Sequence, residues 1–383
     1  PDPNAGWISP MRMQNIFDAL PFWITLGLIP LMWIGVMAGG WTVLLVIFGS
    51  WVMVSVADSL TGLNKTDADP DQPENTLFWH RLITWIWPFA EVFTIFGVIA
   101  YITHSDHLGT SEILLLTIGL GIISGAVGIV YAHELMHQPN RFERWMGDVL
   151  MAMALYGHFR SEHLLVHHRY VGTPRDPVTA RYNESFFRFF PRVLVQCFRS
   201  AWRAETQRLK QKGRSPYHRS NPFWRYAALQ TGFLVLALLI GGWAGLGLFL
   251  LHAFVAVWQL ELVNYIEHYG LTRKHLGQGK YEHTRPHHSW NASHTVSNWF
   301  LINLQRHSDH HFKPDRRYPL LQNYSASDAP QLPYGYAIMG FLAMIPPLWR
   351  RRMNPLVRRW RKTFYPEITD WRPYTTAANP LPR

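Results

Sequence analysis

Imidazoles are crowded into a few short stretches of this chain. HELMH (133–137) sets His133 and His137 four residues apart, which puts both on one helical face at metal-bridging distance. EHLLVHHRY (162–170) repeats the spacing with His163 and His167, while His168 is turned about 100° away, toward a second metal. HSDHH (307–311) does the same with His307, His310 and His311, and NYIEHYGL (264–271) adds His268. One ion accepts about four to six ligands, so nine imidazoles imply two metals with open positions for substrate chemistry. The carboxylates beside the ligands, Glu134, Glu162, Glu267 and Asp309, are the expected acceptors that hold each imidazole in the right tautomer.

All-imidazole ligation suits zinc, copper, iron or nickel, and does not suit magnesium or calcium. HELMH also matches the H-E-x-x-H of zinc proteases, with Glu134 as the base. That motif needs one further ligand and leaves six histidines without a role. Neutral, electron-rich ligands around two open metals fit iron and O2 chemistry better. The single cysteine, Cys197, excludes a disulfide framework and any cysteine-ligated zinc or iron–sulfur site in this chain.

Such residues need a scaffold, and composition says which kind. Hydrophobic residues make up 48% of the 383 and charged ones 16%, whereas soluble domains carry roughly 25% charged residues. Six apolar runs, at about 20–37, 41–57, 83–103, 113–132, 227–243 and 246–266, predict six transmembrane helices. GLGIISG in the fourth run has no strand before it to make a nucleotide loop. Gly121 and Gly125, four apart, are there to let helices approach. Of the 36 Lys and Arg, only Arg12, Lys65 and Arg81 precede the fourth run, and all the others fall within 133–226 or 267–383. With the N-terminus inside, six spans place every one of them on the cytoplasmic face. The net charge of +11 is thereby explained without a nucleic-acid partner.

PDPNAGWISP lacks the basic-then-apolar order of a cleavable signal, and 372–383 reads as a tail or linker. The expected fold is therefore all-α. It is one membrane-embedded catalytic domain over 1–383, a multi-pass bundle with a cytoplasmic helical cap that holds the histidines. In the sixth run Glu261, Asn264 and His268 form a polar stripe at i, i+3 and i+7. Ionisable residues in a span are costly and functional, so Glu261 and Asn264 are expected to support the metal site.

HELMH, EHLLVHHR, NYIEHYGL and LQRHSDHH resemble the histidine boxes and HYG signature of the membrane-bound alkane 1-monooxygenases, the AlkB-type alkane hydroxylases. RPHHSWNASH (285–294) is similar to that family's stretch between HYG and the last box, with SWNASH where SWNSNH is expected. His283, His287, His288 and His294 lie there and read as lid or supporting groups, not ligands. Membrane fatty-acid desaturases share the three boxes; NYIEHYGL and LQRHSDHH tilt the choice to hydroxylation. The resemblance implies two iron ions in a non-haem di-iron centre and terminal hydroxylation of medium-chain n-alkanes with O2. It also implies electrons from rubredoxin and an NADH-dependent rubredoxin reductase, and a place in the bacterial inner membrane with both termini cytoplasmic. Bulky residues of the first four spans, Trp51 among them, would then wall a channel that measures chain length. A lipid desaturase or hydroxylase with the same centre is the rival enzyme, and a redox-silent metal-storage protein is the rival of another class.

Overall fold

A computed structural model describes residues 16–371 of the chain. Arg12, the segment around it and the 372–383 tail lie outside the described residues. Helical segments follow one another as α1 (Ile16–Ala38), α2 (Gly40–Thr61), α3 (Glu74–Thr103) and α4 (Thr110–His137). Then come α5 (Arg141–Met153), α6 (159–170), α7 (Phe186–Gln211) and α8 (Phe223–His268). A small hairpin, β1 (His275–Gly277) with β2 (Lys280–Tyr281), precedes α9 (Thr295–Phe300), α10 (His307–Phe312), α11 (Tyr336–Ala343) and α12 (Pro346–Phe364).

Among the described residues five segments, α1–α4 and α8, are long and apolar enough to cross a membrane, where the sequence predicts six. The difference lies in α8, which counts 46 residues because the last two apolar runs are joined. Its backbone leaves helical geometry at Gly242 (φ 59°, ψ −152°), a conformation open to glycine. A Cβ built on Gly245 would stand 2.7 Å from the Ala237 carbonyl oxygen. Residues eight apart along a straight helix are about 12 Å distant, so the chain turns back on itself at Gly242.

Packing of α4 against the second half of α8 makes the spine of the molecule. A Cβ on Gly121 would lie 2.7 Å from the His252 carbonyl oxygen, and one on Gly125 would lie 2.9 Å from that of Ala256. These two glycines therefore bring two backbones together. Three π-helical turns interrupt the α-helices, at Phe48–Met53, Ser124–Gly128 and His163–His167. Such turns are rare and gather at functional sites.

Pro139 and Asn140 end α4, and the Asn140 side chain accepts the Phe142 N–H (2.8 Å) to start α5, which folds back against α4. Around the histidine-bearing ends of α4 and α8 pack α5, α6 with α7, α10 and α11, the last leading into α12. The turn before α10 passes through Ile302 (φ 42°) and Asn303 (φ 58°). A β-branched residue seldom adopts positive φ, so strong local packing must set the entry of α10.

Candidate metal centre

All nine predicted imidazoles meet, in two adjoining groups. His133, His137, His163, His168 and His310 form one, and His167, His268, His307 and His311 the other. In the first, Nε2 atoms stand 2.9 Å apart for His137–His163, 2.9 Å for His163–His168 and 3.0 Å for His168–His310. In the second the separations are 3.2 Å for His167–His311, 3.0 Å for His307–His311 and 3.1 Å for His268–His307. His133 adds a buried Nε2 with no hydrogen-bond partner.

The division between the groups differs from the spacing argument in one respect. His163 was expected to share a face with His167, yet it joins His168. The reason is the π turn: the His168 N–H bonds to the His163 carbonyl, five residues back. Widening the helix by one residue per turn stacks i over i+5, and His167 is left facing the second group. In α10 the helical rule holds, with His307 and His311 together and His310 rotated to the first group.

The chemistry of this donor set suits metal ions. Burial, and then the crowding of neighbouring imidazoles, holds His163, His168, His310 and His311 well below the ordinary imidazole range. The same causes act on His307. The rings are thus neutral, each with a lone pair to give. Nε2 atoms that converge at this range can all turn a lone pair toward one cation between them. Edges of about 3 Å match ligands bound at about 2.1 Å to one ion.

Of the four carboxylates adjacent to these histidines in sequence, Glu267 is the one that meets an imidazole of the two groups. Glu267 Oε2 does come within 3.3 Å of His307 Nε2, while its other oxygen accepts the Tyr336 hydroxyl (2.8 Å). Glu134 instead accepts from Gln138 (2.9 Å), and Asp309 from Arg316 (2.6 Å), Tyr324 (2.9 Å) and the Gln322 N–H (3.0 Å). Glu162 is buried with neither oxygen hydrogen-bonded. Burial, then the Asp176 and Glu261 carboxylates, push its carboxyl well above the usual range. Glu261 accepts from Tyr156 (2.8 Å) and Asn264 (3.1 Å), so that stripe clamps α8 to the Tyr156 turn and touches no imidazole through these bonds.

Sequence reasoning missed Asp176. Its Oδ2 accepts from His167 Nδ1 at 2.9 Å, which fixes the tautomer and leaves Nε2 free for a metal. Thr179 Oγ1 (2.7 Å) and the Val178 N–H (3.0 Å) hold the carboxylate in turn. The available signal was Asp176 capping its own turn with Thr179 three residues on.

His287 and His288 gather with Glu282 in a third set. The Arg285 N–H donates to His288 Nδ1 (2.8 Å), so the proton sits on Nε2 and is donated to the Tyr365 oxygen (2.7 Å). Tyr365 in turn donates to Glu282. A protonated Nε2 is no ligand; the set ties the chain just beyond α12 to the loop over the site. His294 lies apart from it, bridged to Leu63.

An apolar cavity opens between α2, α4, α8 and α11. Nearest the histidines along the chain are Val130 and Ile266, three and two residues before His133 and His268, with Phe300 and Tyr336 beside them on the wall. Further off are Ser50 and Trp51 from the first π turn, Gly125 from the second, and Gln259. Trp51 packs on α11, where a Cβ on Gly340 would meet its ring at 3.2 Å.

Long apolar helices that deliver paired histidine groups define a class of membrane metalloprotein, and residues 110–343 match the family described as fatty acid desaturase. The chain is 38% identical over 342 residues to alkane 1-monooxygenase 2 of Pseudomonas aeruginosa, covering 86% of this chain and 87% of that protein. It is 36% identical over 360 residues to alkane 1-monooxygenase 2 of Alcanivorax borkumensis, covering 91% and 93%. The xylene/toluene monooxygenase hydroxylase component XylM of Pseudomonas putida is 30% identical over 277 residues, 70% of this chain and 72% of that one. The chain belongs to the alkane 1-monooxygenase family.

Proposed function

We propose that this chain is a monooxygenase that converts medium-chain n-alkanes to 1-alkanols with O2, its nine histidines holding two iron ions. The observation that carries the reading is the pair of all-imidazole groups, with an apolar cavity whose wall residue Tyr336 is joined through Glu267 to His307. When bound, the irons supply reduction of O2 and transfer of one oxygen atom to a C–H bond. The rest falls to the protein. An alkane has no polar handle, so the cavity walls must present its end by shape alone, and their apolar side chains exclude water. The purified protein should carry about two iron atoms per chain. It should consume O2 on addition of n-octane and reductant, releasing 1-octanol. An unsaturated acyl lipid as the sole product would favour a desaturase, and bound metal without O2 uptake would favour storage.

Trp51 is the wall residue whose shortening should matter most. Trp51→Ala removes the ring that packs on Gly340 and should lengthen the cavity. Turnover of alkanes longer than the wild-type optimum should then rise roughly tenfold, the scale of a few methylenes in an apolar pocket. The product profile across a chain-length series reads this. An unchanged profile would remove Trp51 from the channel.

For topology, we count α8 as two crossings that meet at Gly242, giving six spans with both termini and the histidine cap on the cytoplasmic side of the inner membrane. The run of Lys and Arg supports that orientation. Residues 1–383 hold one cysteine and no nucleotide loop, so their electrons come from a carrier beyond these residues; rubredoxin, reduced by its NADH-dependent reductase, is the carrier we assign. A cavity lined by His137, Gln138, Arg144 and Lys313 leads from the surface to the first histidine group. Further cations, Arg350, Arg351, Arg352, Arg358, Arg359, Arg361 and Lys362, lie on α12. An acidic carrier would be steered by this field, which salt screens once the Debye length falls below about 10 Å. Raising salt to about 0.3 M should lower the second-order rate with rubredoxin severalfold and leave peroxide-driven turnover nearly unchanged. Equal responses would mean that salt acts on the enzyme itself.

A further inference from the structure

The cavity has one polar group with no evident use for an alkane. Gln259 is 7% exposed, and its Oε1 is buried without a hydrogen-bond partner. It lies against the π turn of α4, where a Cβ on Gly125 would stand 3.0 Å from that oxygen. The three hydroxyls of the cavity each have a protein partner. Ser50 donates to the Val46 carbonyl (2.7 Å), Ser297 accepts from Gln305 (2.7 Å) and Tyr336 donates to Glu267 (2.8 Å). Turning the amide over would put its NH2 in the same place, so a hydrogen-bonding group is left over in either orientation.

A buried amide oxygen without a partner is costly, and a cavity built only for hydrocarbon would have a methionine or leucine here. Water is a poor occupant, because it needs two or more polar partners and the three hydroxyls of the wall are taken. A hydroxyl carried on an apolar chain fits better, since the chain's burial holds it in place. Position then decides what such a ligand would do. Gln259, Leu262, Val263 and Ile266 line one face of α8 over two turns, which places Gln259 roughly 13 Å along the helix axis from His268. A hydroxyl at Gln259 leaves the opposite methyl of a medium-length chain at the histidine end.

We propose that Gln259 receives the hydroxyl of a 1-alkanol, so that the enzyme carries a second hydroxylation, at the far methyl, to an α,ω-diol. This rests on the monooxygenase reading above. One methyl C–H bond breaks and a C–O bond forms with one atom of O2. The other oxygen atom leaves as water, taking two electrons from the soluble one-electron carrier and two protons from solvent. The orientation set by Gln259 selects the product: attack at the carbinol carbon instead gives the aldehyde.

The test supplies wild type with 1-octanol and measures 1,8-octanediol against octanal, beside n-octane as a separate substrate. The diol should predominate in wild type. In Gln259→Met and Gln259→Leu the diol-to-octanal ratio should fall roughly five- to tenfold, the worth of one hydrogen bond. The ratio is taken within each protein, so a general loss of rate cancels. Octanal as the main wild-type product, or a ratio unmoved in either variant, overturns the proposal. Failure of wild type to hydroxylate n-octane would overturn the monooxygenase reading instead.

Discussion

Replacing His168 or His310 with alanine is expected to strip one iron from the protein and abolish alkane hydroxylation. His168 Nε2 stands between those of His163 (2.9 Å) and His310 (3.0 Å), so both residues sit inside the first group of lone pairs. Alanine removes a donor and leaves a space among buried neutral rings that nothing nearby fills. Loss of an atom that merely supports a ligand costs about 10–100-fold, so loss of a ligand itself should exceed that. Iron per chain should drop toward one, and 1-octanol formation should fall by more than about a hundredfold. A His168→Ala protein with wild-type iron and near wild-type turnover would exclude that residue from the centre. Added imidazole offers a complementary check, since a free donor entering the vacated space should restore part of the metal.

Asp176→Ala is expected to cost about 10–100-fold in metal affinity or turnover although Asp176 binds no metal. The carboxylate accepts the Nδ1 proton of His167, and that fixed proton is what leaves Nε2 unprotonated. Without it the imidazole is free to take the other tautomer, which has no lone pair to give the second group. Asp176→Asn keeps an acceptor oxygen in place and should lose less than the alanine variant. Asp309→Ala supplies the contrast. Its carboxylate holds Arg316, Tyr324 and the Gln322 N–H, so the change should lower thermal stability before it alters iron content. Equal effects of Asp176→Ala and Asp309→Ala on iron would reduce Asp176 to a packing residue.

Much of this molecule follows from residue types and spacing. A metal demands several donors within a few ångströms, and helices supply them only at a few offsets, so the nine histidines stand out in the chain itself. Apolar length does the same for the spans, because polar side chains are costly in a bilayer and so stay few there. Grouping is different. The pairing of His163 with His168 depends on one extra residue in a turn, and packing around α6 decides whether that π turn forms. Adjacency in sequence does not by itself decide which carboxylate meets an imidazole. A residue next to a ligand on a helix points about 100° away from it, as Glu134, Glu162 and Asp309 do, and a carboxylate that meets a ligand's second nitrogen can arrive from a loop instead. Asp176 reaches His167 that way. The cavity lies further still from the sequence, since Trp51, Gly125, Gln259 and Gly340 are brought together from α2, α4, α8 and α11. Only the close approach of those helices, allowed where glycines leave room for another backbone or ring, puts an amide and a tryptophan on the wall of one cavity.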